Sequence, residues 1–272
     1  MEKLRIVEWN INHRLGSSKT AMPNWVTEEI QDKNAHIYIF TECSGRVSNW
    51  KELCEATFDS RKYLLFSSNN DQVGNNDVVI VVNKEFIEVI SVHSLVAEGH
   101  KAPDHLQLNC RSKNTGKLFT VVGLRIHAMD ISDEEKREQL KVVMQHITEE
   151  QSVIIAGDFN CNRRSFVDIA KWNINAIDDI VSEEYNRITP EGASWARDVS
   201  TEDKYCFALD HFLVKGIKDF NVHPYDRKFV KREHNIYKWG TDFQARYGWD
   251  KPENTVPAPY PDHAILSADF SI

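Results

Sequence analysis

SVIIAGDFN, residues 152–160, is an apolar strand that breaks off in an acid, an aromatic and an amide. Burying Val153 to Ala156 needs no carboxylate, so Asp158 and Asn160 mark a strand end that presents polar groups to a cleft. The event recurs along the chain. KLFTVVGLRIH (117–127) closes on Arg125 and His127, HIYIFTE (36–42) closes on Glu42, and LRIVEWNIN (4–12) carries Asn10 and Asn12. FALDHFLV (207–214) contains Asp210, and HAILSADF (263–270) begins on His263 directly after Asp262.

Counting in twos puts Asp158 with Asn160, Arg125 with His127, and Asn10 with Asn12 on shared faces of their strand ends. In the first strand Leu4, Ile6, Glu8, Asn10 and Asn12 lie on one face and Val7, Trp9 and Ile11 on the other. Taken singly these residues are ordinary, since Gly-Asp and Asn are common in turns. Oxygen-bearing side chains gathering at strand ends from both extremes of the chain point to a hard divalent cation.

Around these strands the pattern predicts further elements. PNWVTEEIQDK (23–33) reads as a helix opened by Pro23, and VSNWKELCEATF (47–58) as another. Strands are expected at DVVIVVN (77–83), FIEVISVHSL (86–95) and LQLNCRS (106–112), the last joined to 117–127 by a hairpin turn at Asn114-Thr115-Gly116. Ser132 and Glu135 have capping-box spacing ahead of an apolar stripe at Leu140, Val143, Met144 and Ile147. A further helix is expected at 165–172, followed by an irregular stretch. Many strands with occasional helices indicate an α+β protein, two packed sheets with helices outside.

The chain has 272 residues, 41% of them hydrophobic, and a net charge of -8. Candidate site residues run from Asn10 to His263, so residues 1–272 are expected to form one domain. The negative charge argues against gripping nucleic acid by bulk electrostatics, though a bound cation supplies positive charge at a reacting phosphate. Cys43, Cys54, Cys110, Cys161 and Cys206 form no CxxC pair and read as reduced thiols. No leader-like segment or long apolar run is seen, and a soluble cytoplasmic protein without membrane contact is expected. One stretch stands apart. Residues 225–251 carry seven basic side chains against four acidic ones, interleaved with seven aromatics. That mixture suits a single-stranded nucleic-acid surface, on which bases stack and phosphates pair, and equally an amphipathic cap with buried aromatics.

The set EWNIN, TE, LRIH, GDFN, ALDHFLV and PDHAIL resembles the endonuclease/exonuclease/phosphatase superfamily, which includes DNase I-like nucleases, apurinic endonucleases, neutral sphingomyelinases and inositol-polyphosphate 5-phosphatases. The resemblance spans residues 4 to 270, with GDFN and the terminal Asp-His its most specific parts. It implies a four-layer αββα sandwich of two mixed β-sheets flanked by helices. It also implies that Asn10, Glu42 and Asp262 serve the metal. His263, oriented by Asp210, would meet the scissile phosphate, and Asp158 and Asn160 would position the attacking water. His127, with Arg125 beside it, falls where many members contact phosphate.

Some positions depart from the family. Asn12, where nuclease members often carry an acid, becomes a substrate contact. Ser194-Trp195-Ala196-Arg197 resembles the substrate loop, which assigns Trp195 and Arg197 to substrate. His211 is turned away from Asp210 by alternation and reads as packing. The Pro-Ala-Trp-Cys-Asp-Arg signature of the inositol phosphatases is absent. The 51 residues between Asp210 and Asp262 exceed the family's short loop and make the basic, aromatic insert near 225–251 the expected specificity element. The resulting expectation is a Mg²⁺-dependent phosphodiesterase acting on nucleic acid. The alternatives are a phosphohydrolase of a small or lipid substrate, or a non-catalytic binding module.

Overall fold

The alternation read in residues 4–12 builds the centre of the first of two six-stranded sheets. In a computed structural model of the chain, Leu4 and Ile6 pack between the sheets, while Val7, Trp9 and Ile11 pack under a helix. The structure describes residues 3–11, 24–43, 57–68, 77–95, 103–127, 131–147, 152–161, 172–196, 206–226 and 263–272.

In chain order the elements are β1 (Lys3–Asn10), α1 (Asn24–Lys33), β2 (Ile37–Cys43), β3 (Tyr63–Ser67), β4 (Asp77–Asn83), β5 (Ile87–His93), β6 (Asp104–Ser112) and β7 (Leu118–Arg125). There follow α2 (Asp133–His146), β8 (Val153–Asp158), α3 (Ile174–Ile180), β9 (Tyr185–Ile188), β10 (Trp195–Ala196), β11 (Cys206–Phe207), β12 (Asp210–Lys215), β13 (Phe220–Val222) and β14 (Leu266–Ser271).

The first sheet runs β13-β14-β1-β2-β4-β3 and the second β5-β6-β7-β8-β12-β9, with β10 and β11 forming a separate pair. Each large sheet is antiparallel except for one central parallel pair, β1 with β2 and β7 with β8. A parallel pair needs a crossover, and α1 and α2 lie in those two connections. Three apolar clusters then define four layers. One lies between the sheets, one joins α1 to the outer face of the first sheet, and one joins α2 and α3 to the outer face of the second.

Local signals act as expected at several places. Ser132 caps α2 in a reciprocal capping box with Glu135. The β6–β7 hairpin closes with Gly116 at φ 72°, its N–H donating to Ser112 O at 2.8 Å. Two glycines instead serve close approach. A Cβ on Gly157 would sit 1.7 Å from the Leu124 carbonyl oxygen, so β7 and β8 can pair there only without a side chain. A Cβ on Gly123 would meet Val78 Cγ1 at 2.5 Å and Ile39 Cγ2 at 2.8 Å, on the facing sheet.

The structure also corrects the sequence reading. The expected single strand 207–214 is divided, β11 ending at Phe207 and β12 starting at Asp210. The last strand starts at Leu266, and His263 joins only an isolated bridge with Trp195. The stretch after residue 172, read as irregular, holds α3 and β9; Asn173 caps α3 by accepting from the Asn175 and Ala176 N–H groups. The short strands β3, β9 and β13 went unread. Of the helix expected at 165–172 only Trp172 is described, and of the one at 47–58 only Thr57 and Phe58; the rest of both, and residues 227–251, lie outside the described residues.

Gly157→Ala should therefore lower folding stability by more than about 3 kcal/mol, the upper range for overpacking, because the obstructing atom is backbone. Urea denaturation measures this, and a loss under about 1 kcal/mol would mean that β7 and β8 separate freely at that rung.

Candidate active site

At one end of the apolar layer between the sheets, the interior face of the second sheet stops being hydrophobic within a single rung. Backbone register places Asp104 beside Arg125, Arg125 beside Asp158, and Asp158 beside Asp210, across β6, β7, β8 and β12. The same parity one rung lower gives the core residues Leu106, Gly123, Ala156 and Phe212. Across the gap, the first sheet contributes Glu8, Asn10 and Glu42. All seven are buried.

Glu42 reaches this face by a backbone distortion. It has φ 56°, and the β2–β4 register shifts between Phe40 and Cys43. Regular alternation would put it with Tyr38 and Phe40 on the α1 side. The kink turns it inward, where Oε1 accepts from Arg125 Nε at 2.8 Å. A non-glycine residue in the left-handed region costs on the order of 1 kcal/mol, a strain expected where geometry serves a site. Asn160 also has positive φ, 46°, which asparagine tolerates.

The hydrogen bonds form two linked groups. In the first, Asn10 Nδ2 donates to Asp158 Oδ2 at 2.9 Å, Asn160 Nδ2 to the same oxygen at 3.0 Å, and the Asn160 N–H to Asp158 Oδ1 at 2.8 Å. His263 Nδ1 donates to Asp210 Oδ2 at 2.8 Å, and its Nε2 lies 3.9 Å from Asp158 Oδ2. In the second, Arg125 Nη1 donates to Asp104 Oδ2 at 3.0 Å, His127 Nε2 lies 3.4 Å from Asp104 Oδ1, and Gln139 Oε1 accepts the His127 N–H at 3.1 Å.

Outside the cleft, buried groups fix the main chain that carries the Asp210–His263 pair. Ser194 Oγ accepts the N–H groups of Leu209 and Asp210 at 2.8 and 3.1 Å, and its carbonyl accepts from Ala264. Trp9 Nε1 donates to His263 O at 3.0 Å, and the Tyr225 hydroxyl donates to Asp210 O. The pair is thus held from β1, from the residue before β10 and from the segment after β13, without using either side chain.

Five acids of the site are buried, Glu8, Glu42, Asp104, Asp158 and Asp210; Glu42, Asp104 and Asp158 act on the Arg125 guanidinium, and Glu8 Oε2 and Asp210 Oδ1 are buried without hydrogen-bond partners. Burial pushes Asp158 up to about 7; His263 and Arg125 oppose the rise, Asp210 and Glu42 add to it. Glu8 moves the same way, first through burial and then through Asp210 and Asp158. Asp158, Asp210 and His263 offer ligand atoms within 4.8 Å of one another. This concentration of anionic oxygen, with no cysteine in the cluster among the described residues, fits a hard divalent cation.

The site thus brings together Asn10, Glu42, Arg125, His127, Asp158, Asn160, Asp210 and His263, as the strand ends indicated. Trp195 lies beside it, bridged to His263. His211 is buried on the opposite face, with Nδ1 2.8 Å from Thr189 Oγ1 and Nε2 3.3 Å from Cys161 Sγ, which makes it packing. Asn12, Arg197 and Asp262 lie outside the described residues. Sequence signals pass over Asp104 and Gln139, and take in Ser194 only as the first residue of the 194–197 segment; the parity of Asp104 with Leu106 and Leu108 is what could have pointed to that residue.

A carboxyl whose proton is held more tightly in the fold than in the open chain destabilises the fold as pH rises through that window. For Asp158 the window runs from the ordinary carboxylate range near 4 up to about 7. In EDTA, stability should therefore fall between pH 5 and pH 8, by an amount on the order of 2 kcal/mol, and Mg²⁺ at pH 8 should restore it. Urea midpoints that rise with pH in EDTA would contradict this electrostatic picture.

Comparison with known proteins agrees with this architecture. A family model described as the Endonuclease/Exonuclease/phosphatase family matches residues 7–261. Among curated proteins no sequence matches the chain. Solved structures of similar fold include an endonuclease/exonuclease/phosphatase from Bacteroides vulgatus, at 17% identity and TM-score 0.65 over 100% of both chains. D. rerio TDP2 complexed with a single-strand DNA product follows at 13% identity and TM-score 0.66, again over 100% of both chains. A mannosyl-6-phosphatase from Bacteroides thetaiotaomicron VPI-5482 has 12% identity and TM-score 0.63, covering 99% of this chain and 100% of that one. The chain belongs to the endonuclease/exonuclease/phosphatase family, whose members hydrolyse phosphoester bonds.

Proposed function

We propose that this protein is a Mg²⁺-dependent phosphodiesterase that cleaves nucleic acid by in-line attack of water. The observation that carries the reading is the His263–Asp210 pair at 2.8 Å, with Asp158 3.9 Å from the other ring nitrogen. Asn10 and Glu42, joined by Asp262, hold the cation. It supplies charge neutralisation at the non-bridging oxygens and at the leaving oxygen. His263 and Asp210 belong to proton handling instead, since Nδ1 and Oδ2 are engaged with each other.

Asp158 is fixed by three hydrogen bonds and orients the attacking water. Its raised proton affinity suits it to take that water's proton near neutral pH. Asp210 holds the imidazole of His263 in one tautomer, leaving Nε2 for the phosphoryl group. Asn160, His127 and Arg125 line the phosphate side; Asn12, Trp195 and Arg197 serve the rest of the substrate. The basic and aromatic residues of 225–251 supply stacking and phosphate contacts to a polynucleotide. Cys43, Cys110 and Cys161 are buried and carry reduced thiols, which accords with a reducing cytoplasm.

A small phosphorylated substrate is the second reading, favoured by the net charge of -8 and by the likeness to a mannosyl-6-phosphatase. One panel separates the two. Protein with Mg²⁺, Mn²⁺ or EDTA is offered single- and double-stranded DNA, RNA, bis-p-nitrophenyl phosphate, sugar phosphates and inositol phosphates. Metal-dependent cleavage of a polynucleotide is expected; activity confined to small phosphomonoesters would transfer the assignment to the second reading.

On the active substrate His263→Ala should lower kcat by a factor of about 10³ or more. The variant should still fold, because the contact that Trp9 makes is to the backbone carbonyl, with a melting temperature lowered by the loss of the buried partner of Asp210. Replacing Arg227, Lys228, Lys231 and Arg232 with Ala should weaken polynucleotide binding and flatten its salt dependence by up to about four charges' worth of slope. An unchanged slope would remove the insert from the binding surface.

A further inference from the structure

Asp104 has no part in the reaction just described, yet it is fully buried and divides its carboxylate between two groups of the phosphate side. Oδ2 accepts from Arg125 Nη1 at 3.0 Å, and Oδ1 faces His127 Nε2 at 3.4 Å. Arg125 in turn meets Glu42 Oε1 through Nε at 2.8 Å. A carboxylate is costly to bury unless it is paired, and this one is paired with the two basic side chains on this wall. We propose that Asp104 is a positioning residue that sets both halves of the site, Glu42 through Arg125 and the phosphoryl-facing imidazole through His127. The inference rests on reading Glu42 as a cation ligand and His127 as a phosphate contact.

A guanidinium beside a single carboxylate favours a two-pronged contact that occupies both oxygens. Asp104 draws Nη1 to itself, so Arg125 meets Glu42 through Nε alone. The added negative charge also offsets the guanidinium, whose field would repel a divalent cation at Glu42. For His127 the main chain is already fixed from α2 by Gln139, and only the turn of the ring remains open. Asp104 takes Nε2 and leaves Nδ1 as the nitrogen for polar atoms of the substrate. Groups that support a ligand from behind in this way typically matter by about 10- to 100-fold in affinity.

Calorimetric titration of the resting protein tests this, first with MgCl₂ alone and then with inorganic phosphate in the presence of MgCl₂. Asp104→Asn should weaken both by about 10-fold or more, while His127→Ala should weaken phosphate binding and leave Mg²⁺ affinity unchanged. An Asp104→Asn protein that is folded by circular dichroism and loses affinity for only one of the two, or for neither, would overturn the proposal. If that variant does not fold, Arg125→Lys takes its place, because a lysine keeps the charge but cannot reach Glu42 and Asp104 together. It should bind Mg²⁺ about 10-fold more weakly, and wild-type affinity would overturn the proposal. Neither titration involves turnover, so a protein that binds as expected but cleaves nothing in the substrate panel would count against the hydrolase reading alone.

Discussion

Four strands of the second sheet end their hydrophobic faces on one charged rung: Asp104, Arg125, Asp158 and Asp210. Three like charges around one opposite charge, out of water, repel one another and are poorly solvated. The rest of the structure can be understood as what makes that rung tolerable. The apolar layer below anchors the strands in register. The facing sheet brings Asn10 as a donor, and His263 arrives from the segment that leads into β14 as a partner for Asp210. The cluster of Asp158, Asp210 and His263 could hold a metal ion, and a divalent cation there would complete the neutralisation and tie the chemistry of the site to the stability of its scaffold.

The two sheets divide the labour. The first brings Asn10 and Glu42 from a parallel pair, β1 and β2; the second brings Arg125 and Asp158 from the corresponding pair, β7 and β8. In each sheet the useful groups stand at the carboxyl ends of the parallel strands, where backbone direction and short turns let side chains leave the ladder. The Asp210–His263 pair then crosses from one sheet to the other. No element carries the site alone. The fold that assembles it is shared with structures as different as a DNA-bound TDP2 and a mannosyl-6-phosphatase.

Much of this was legible in the residues, for identifiable reasons. Asp158, Asn160 and Asn10 were readable because they interrupt long apolar runs whose period is unmistakable. The four-layer arrangement followed from family resemblance, and Ser132 with Glu135 marked α2 by capping chemistry alone. Other features carry no local signal. The kink at Glu42 depends on a register shift against β4 that no property of TEC announces. Pro103-Asp104 looks like an ordinary strand start until its neighbour is known to be Arg125. Ser194 lies in a loop, and its importance comes from two backbone amides that reach it from Leu209 and Asp210. The strands β9 and β13 are four and three residues long, too short for a period to show.

Gly123 lies two residues before Arg125 on the same strand face, pressed against Val78 and Ile39 of the opposite sheet. Its missing side chain makes it a spacer of zero thickness. The separation of the two layers at that point fixes how far Asn10 stands from Asp158 and Glu42 from Arg125, since each pair spans the gap. Sheet separation and polar geometry are thereby one mechanical variable. A single methyl group deep in the oily interior would act as a wedge, and its effect would surface at the mouth of the cleft as a stretching of the contacts from Asn10 to Asp158 and from Arg125 to Glu42.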